Sequence, residues 1–266
     1  MSPPAPIPIA DIDDPRIAVF HAIKERDRIG REGVFIAEGL SVLNVLLTRS
    51  RLETLAILVE ESRIPRLPVL AQRGDAPLYS APQTVLDAIA GFHLHRGILA
   101  AGRIPPSASL ADLPPGPVRV PVCVTLANHD NVGGIFRNAA AFGAPAVVID
   151  TQTADPFYRK AIRVGVGAPL QIPTVRLAPD DLLPALAAAS LTPVALTPST
   201  ADTLESRPLP PRAAFLLGPE GPGLPQSLIA AAEPRRIAMA PGWDSLNVAT
   251  TAALALSAHA AAYGVA

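Results

Sequence analysis

The residues best suited to chemistry fall in three short stretches: Asn131 with Arg137, then Glu220, then Ser245 with Asn247. The first pair stands in Asn128-His129-Asp130-Asn131-Val132-Gly133-Gly134-Ile135-Phe136-Arg137-Asn138, where paired glycines, amides and one guanidinium interrupt an apolar run. Glycine lets backbone approach a ligand closely, and the amides and guanidinium supply donors. Glu220 lies in Gly218-Pro219-Glu220-Gly221-Pro222-Gly223, just past the apolar run Ala213-Ala214-Phe215-Leu216-Leu217. A carboxylate there can accept hydrogen bonds from a ligand or orient the first stretch. In Pro241-Gly242-Trp243-Asp244-Ser245-Leu246-Asn247, Ser245 or Asn247 can cap a following helix. The apolar Leu246 between them suits the wall of a pocket for a flat ring. The three stretches are expected to converge on one cofactor site.

Elements must bring them together, and the second half of the chain has the pattern to do so. Apolar strands are expected at 118–126, 146–150, 170–175, 193–197, 213–218 and 235–240. Helices are expected at 133–142, near 158–164, and at 180–189, 225–232 and 247–263. Strands alternating with helices give a mostly parallel sheet covered on both faces, with ligands at the carboxyl ends of its strands. The first half reads as a smaller α/β unit: a helix at 14–28, strands at 34–37, 55–59, 77–80 and 97–101, and helices at 40–48 and 83–90. Residues 103–117 are too rich in proline for helix or central strand. The expected division is therefore 1–104, a linker at 105–117, and 118–266.

Composition narrows the function classes. The chain has 266 residues, 49% hydrophobic and 17% charged, which describes a globular protein with ample core. A net charge of −1 gives no global argument for nucleic-acid binding, so any such case rests on local patches. The one cysteine, Cys123, excludes an internal disulfide framework and a cysteine zinc cluster, and fits a reducing, cytoplasmic compartment. No metal site is expected from His21, His93, His95 and His259, and His129 reads as a solvent-exposed loop residue. The apolar stretch 247–266 reads as a buried terminal helix rather than a membrane span. A dinucleotide fingerprint needs G-x-G-x-x-G in a first strand–helix turn; here the order is G-x-x-G-x-G and it falls late. A phosphate-binding P-loop is absent, because no G-K-[ST] occurs.

Asn131-Val132-Gly133 with Arg137, Gly218-Pro219-Glu220-Gly221, and Ser245-Leu246-Asn247-Val248 resemble, in order and spacing, the three motifs of the SpoU (TrmH-like) RNA 2′-O-methyltransferases. The resemblance covers about the last 150 residues. Phe35-Ile36-Ala37-Glu38-Gly39 is similar to a strand and turn of the ribosomal-protein-like, RNA-gripping extension that many members carry. There are departures: Asn128 and His129 stand where the family often has Asp-Pro, Ala238 follows Ile237 where proline is frequent, and Gly165 takes a frequent serine position.

The resemblance implies an α/β domain with a deep trefoil knot, S-adenosylmethionine as cofactor, RNA as substrate, and a homodimer with sites at a two-fold interface. It implies that Arg137 activates the ribose hydroxyl, Asn131 positions Arg137 or the ribose, Glu220 orients that arginine, and Ser245 and Asn247 complete the polar wall. Leu217, Gly218, Ile237, Met239 and Leu246 match cofactor-pocket positions. Candidate RNA contacts are Lys24, Arg26, Arg28 and Arg31, and Arg159, Lys160 and Arg163. The competing readings are a non-catalytic RNA-binding protein that kept the fold, and a nucleotide-cofactor oxidoreductase.

Overall fold

The computed structural model describes residues 5–24 and 33–265. The chain forms two compact units: residues 1–106 with 157–171, and residues 107–156 with 172–266. In the first, strands β1 (Ile7–Pro8), β2 (Val34–Glu38), β3 (Thr54–Glu60), β4 (Leu78–Ala81) and β5 (Ile98–Arg103) form one sheet in the order β1-β4-β3-β5-β2. Helices α1 (Leu40–Thr48) and α2 (Gln83–Ala90) match the expected spans, because their apolar spacing is uninterrupted. Residues Pro15–Lys24 form 3-10 rather than α-helical turns. Alternation along β2 and β3 sends Ile36, Ala56 and Leu58 into one core cluster and Phe35, Ala37, Ile57 and Val59 into another, so the sheet is packed on both faces.

The second unit opens with β6 (Val118–Cys123), α3 (His129–Ala141) and β7 (Val147–Asp150). Next in the chain is α4 (Arg159–Val164), which lies in the segment grouped with the first unit. The second unit resumes with β8 (Thr174–Leu177), α5 (Leu182–Ala188), β9 (Thr192–Leu196), β10 (Arg212–Leu217), α6 (Gln226–Ala230), β11 (Glu233–Arg235) and α7 (Val248–Tyr263). Its six strands run in the order β11-β9-β10-β6-β7-β8, with every ladder parallel. The mostly parallel α/β sheet expected from the sequence is thus present. Val120, Val122, Ala214 and Leu216 pack on one face and Ala213, Phe215 and Val194 on the other.

The boundaries of β8 and β11 moved for physical reasons. β8 begins at Thr174, not 170: Ala168–Leu170 form a 3-10 turn, Pro173 lacks the N–H a ladder needs, and pairing with β7 starts at Thr174. β11 ends at Arg235, not 240, because the Arg236 N–H turns to the carbonyl of Asp202 in a loop. Among the described residues no helix is long and apolar enough to cross a membrane. None of the groupings of His, Cys, Asp and Glu among those residues would hold a metal.

Candidate active site

β6 and β10 lie side by side at the centre of the sheet, with Cys123 in register with Leu217. From them the strand order runs outward in opposite directions. The loops leaving both strands therefore emerge together at a switch point, the usual ligand crevice of open α/β sheets. One loop leads through Thr125 to α3; the other is the glycine-rich stretch 218–223.

The first loop is held in an unusual shape. Thr125 takes φ +54°, a conformation that side chains rarely adopt. Its backbone N–H and hydroxyl donate to Asp150 Oδ2 at 2.8 and 3.1 Å, while Asp150 Oδ1 accepts from Thr153 Oγ1 at 2.7 Å. Asp150, almost fully buried at the end of β7, thus fixes the approach to α3. Burial also pushes the neighbouring Cys123 thiol well above its usual range, so it stays a neutral core residue.

α3 starts at His129, with Asn128 as its cap: the Asn128 side chain accepts from Asp130 N at 2.8 Å. The sequence had suggested a start at 133. Asn131 is therefore helical and buried, and His129 is a half-buried helical residue rather than an exposed loop one.

α7 is capped by Asn247, whose Oδ1 accepts from the N–H groups of Ala249 and Thr250 at 2.9 and 3.3 Å. That fixes the amide's orientation and points Nδ2 at Asn131 Oδ1 (2.8 Å) and Glu220 Oε1 (3.4 Å). Asn131 Oδ1 is then the acceptor, which leaves its Nδ2 to donate to Glu220 Oε1 at 3.1 Å. One helix cap thereby sets the donor and acceptor roles of a three-residue network linking all three stretches.

The helices behind it pack closely. A Cβ added at Gly134 would fall 2.8 Å from the Ala249 Cβ, and Asn138 Nδ2 donates to the Ala249 carbonyl at 2.7 Å. Gly218 is required by space: a Cβ there would lie 2.6 Å from the Leu224 backbone nitrogen.

Beside this network is a cavity of about 520 Å³. Leu217, Gly218, Ile237, Met239 and Leu246 all line it, as do Glu220, Ser245 and Asn247. The cavity also takes Thr197 and Pro198 from the end of β9, and Arg235, which the sequence reasoning did not single out. The available signal was a hydroxyl-rich turn, Thr197-Pro198-Ser199-Thr200, following an apolar strand.

Arg137 is exposed on α3 and makes no hydrogen bond or ion pair among the described residues. Glu220 is bonded to Asn131 and Asn247 rather than to Arg137. Of the candidate RNA contacts, Arg26, Arg28 and Arg31 lie outside the described residues, as does the Lys24 side chain. Arg159 and Arg163 reach buried Glu38 at 2.8 and 3.7 Å, which ties α4 to β2 within the first unit.

Comparison with known proteins bears directly on this arrangement. Residues 119–257 match the model of the SpoU rRNA Methylase family. The chain is also 38% identical over 259 residues to an uncharacterized tRNA/rRNA methyltransferase of Mycobacterium bovis, covering 93% of this chain and 89% of that protein. The chain belongs to the SpoU rRNA methylase family. The span of the SpoU match includes Asn131, Arg137, Glu220, Ser245 and Asn247. Two crystal structures resemble this SpoU chain in fold. An AdoMet-bound rRNA methyltransferase from Sinorhizobium meliloti has TM-score 0.83 and 21% identity, covering 96% of this chain and 98% of that one. A structure described as an RNA 2′-O ribose methyltransferase has TM-score 0.78 and 27% identity, covering 95% and 98%.

Proposed function

We propose that this RNA methyltransferase, a cytoplasmic homodimer, transfers a methyl group from S-adenosylmethionine to a ribose 2′-hydroxyl of structured ribosomal or transfer RNA. The observation that carries the reading is the meeting of two surfaces at one place. The cavity offers an apolar wall, Leu217, Ile237, Met239 and Leu246, beside backbone laid open by Gly218. The Asn131–Glu220–Asn247 network stands at its edge. An apolar slot flanked by bare backbone fits a purine ring with its edge groups, and the cavity volume suits a nucleoside-sized ligand. The similar folds described as AdoMet-bound and as a ribose methyltransferase support the same assignment.

When bound, the cofactor supplies a methyl group on a sulfonium. The chain's own residues then have to align a hydroxyl and ease the loss of its proton. Alignment alone can contribute several kcal/mol, up to about 7–11 in ideal cases. Arg137 is assigned to the hydroxyl. A guanidinium donates hydrogen bonds and does not accept them. It would act as a cation that stabilises the developing alkoxide and grips the adjacent phosphate bidentately. Asn131 and Asn247 hold Glu220 in place, and Ser245 completes the polar wall.

Residues 1–104 are assigned to holding RNA and 118–266 to methyl transfer as a trefoil-knotted domain, with 105–117 between them. Dimerisation is assigned to the methyltransferase domain, where α7 exposes Thr250, Leu254 and Ser257 as one stripe.

The test is labelled methyl transfer to total RNA from cells lacking this enzyme, followed by mapping of the modified nucleotide. A methyl group on a base would overturn the ribose assignment. Arg137→Ala is expected to lower transfer by at least about 100-fold, as for loss of a transition-state donor, with calorimetric cofactor affinity unchanged. Lost cofactor affinity would mean that Arg137 serves the cofactor instead.

A further inference from the structure

A second cavity lies wholly within the first unit, about 580 Å³ in volume, and its wall joins the apolar Leu40, Leu67 and Ile98 to six donor-bearing side chains. Three segments meet there: the start of α1 with Ser41, the 3-10 stretch after β3 with Ser62, Arg63 and Arg66, and the turn before β5 with His95 and Arg96. No carboxylate is among the lining residues. Glu60, at the edge, is engaged by Ser62 (Oγ to Oε2, 2.6 Å) and by Arg63 at 3.7 Å.

Two glycines seat the cations. Gly39, at φ +89°, leaves the space that the Arg96 side chain fills, since a Cβ there would be 2.7 Å from Arg96 Cδ. Gly97, at φ +55°, does the same for Arg63, whose Nε would be 2.7 Å away. Arg63 is further fixed by donating Nη2 to the His95 carbonyl at 3.0 Å. Arg66 and Arg96 are exposed and have no hydrogen bond or ion pair among the described residues. Gly39 also caps α1 without a side-chain acceptor, so no side chain competes for the first amides of that helix.

We propose that this cleft binds backbone phosphates of the substrate RNA, with Arg66 and Arg96 as the phosphate ligands and Arg63 as the fixed cation beneath them. The proposal rests on the RNA-methyltransferase reading and adds where the RNA is held. Guanidinium forks match phosphate geometry bidentately. A chain with net charge −1 must hold RNA through local patches of this kind. Arg159 and Arg163, by contrast, already share the Glu38 carboxylate.

The test measures binding of the full chain to total ribosomal and transfer RNA over a range of salt, with cofactor calorimetry in parallel. The double variant Arg66→Gln/Arg96→Gln is expected to bind RNA at least about ten-fold more weakly. Its plot of log K against log salt should be shallower by about 1–2, the loss of one or two phosphate contacts. Cofactor affinity should not change. Ser41→Asp puts a carboxylate in the cleft at the first turn of α1, where helices favour negative charge. It should weaken RNA binding while the melting temperature stays at or above wild type, which separates lost binding from misfolding. Wild-type RNA affinity and salt slope in the double variant would overturn the proposal and leave the RNA reading intact. No RNA binding by the wild-type chain would sink both. If the double variant lost affinity only for inorganic phosphate, the cleft would be a small-anion site and the proposal would be wrong.

Discussion

The side-chain oxygen of Asn247 is committed to the first turn of α7 and its nitrogen to Asn131 and Glu220. The two duties can be separated by substitution. Asn247→Asp keeps a good cap acceptor but sets a carboxylate against Glu220, so the melting temperature should hold near wild type while labelled transfer falls by about 100-fold. Asn247→Ala loses both, and should also cost about 1–2 kcal/mol in denaturant unfolding. If Asn247→Asp kept wild-type transfer, the network would be a helix cap and nothing more. Gly218→Ala drives a methyl group into the Leu224 backbone, so calorimetry should show cofactor affinity weakened at least about ten-fold, or 1.4 kcal/mol. Unchanged affinity would remove Gly218 from the cofactor wall. At this scale the sequence marked out residues that the structure brings together, because glycine, asparagine and glutamate are out of place beside apolar strands. It did not show their partners. With α3 beginning at His129, Asn131 and Arg137 sit six helical residues apart, about 9 Å along the axis and on different faces. Glu220 meets the first of them only.

At the level of elements, Arg119 gathers the ends of the two helices that frame the site. It donates to the carbonyl of Phe142 just past α3, to the carbonyl of Gly264 just past α7, and to His259 Nδ1 at 3.2 Å. A cation suits two helix C-termini. His259 is 0% exposed, and its Nε2 faces the carbonyls of Pro210 and Pro211 at 3.1 Å. Nε2 therefore carries the proton, Nδ1 accepts, and the ring is neutral. Burial and then the Arg119 charge push the pKa of His259 below its ordinary 6.5, against the pull of the two carbonyls. Below pH 6.5 the unfolded chain consequently takes up a proton more readily than the folded one, and stability falls as the pH drops through that region. Melting temperature should decline between pH 7.5 and 5.5, and decline less in His259→Gln; equal slopes would exonerate this histidine. The sequence disclosed α7 as a terminal helix from its run of alanine and leucine, but the helix is buried along one face only, through Val248, Ala252, Ala255, Leu256, His259 and Ala260. It gave no sign of Arg119 or His259 acting together, since 140 residues separate them.

For the whole molecule, the units divide between Pro106 and Ser107, within the proline-dense stretch 103–117. The grouping of 157–171 with the first unit was not legible, because it depends on distant apolar partners rather than on local pattern. Phe157, Ile162 and Leu170 are nearly fully buried in the same cluster as Phe35, Leu43 and Ile98. The Ser50 hydroxyl also donates to the Leu170 carbonyl at 2.6 Å. A fragment of residues 107–266 should therefore carry bare apolar surface, and bind a hydrophobic dye more strongly per molecule than the full chain. Dye fluorescence equal to that of the full chain would show that the segment packs as well without the first unit.

The same segment sets an order of events in time. The ribosome delivers residues 1–106 first, yet the cluster around Phe35 lacks part of its packing until Gln171 has left the exit tunnel. At about 5–20 residues per second, that interval lasts seconds, ample for a small sheet to collapse and search. The earlier-made segment thus waits on a later-made one, and β6, α3 and β7 are synthesised during the wait. The two units are therefore expected to reach their native packing late and nearly together rather than one after the other.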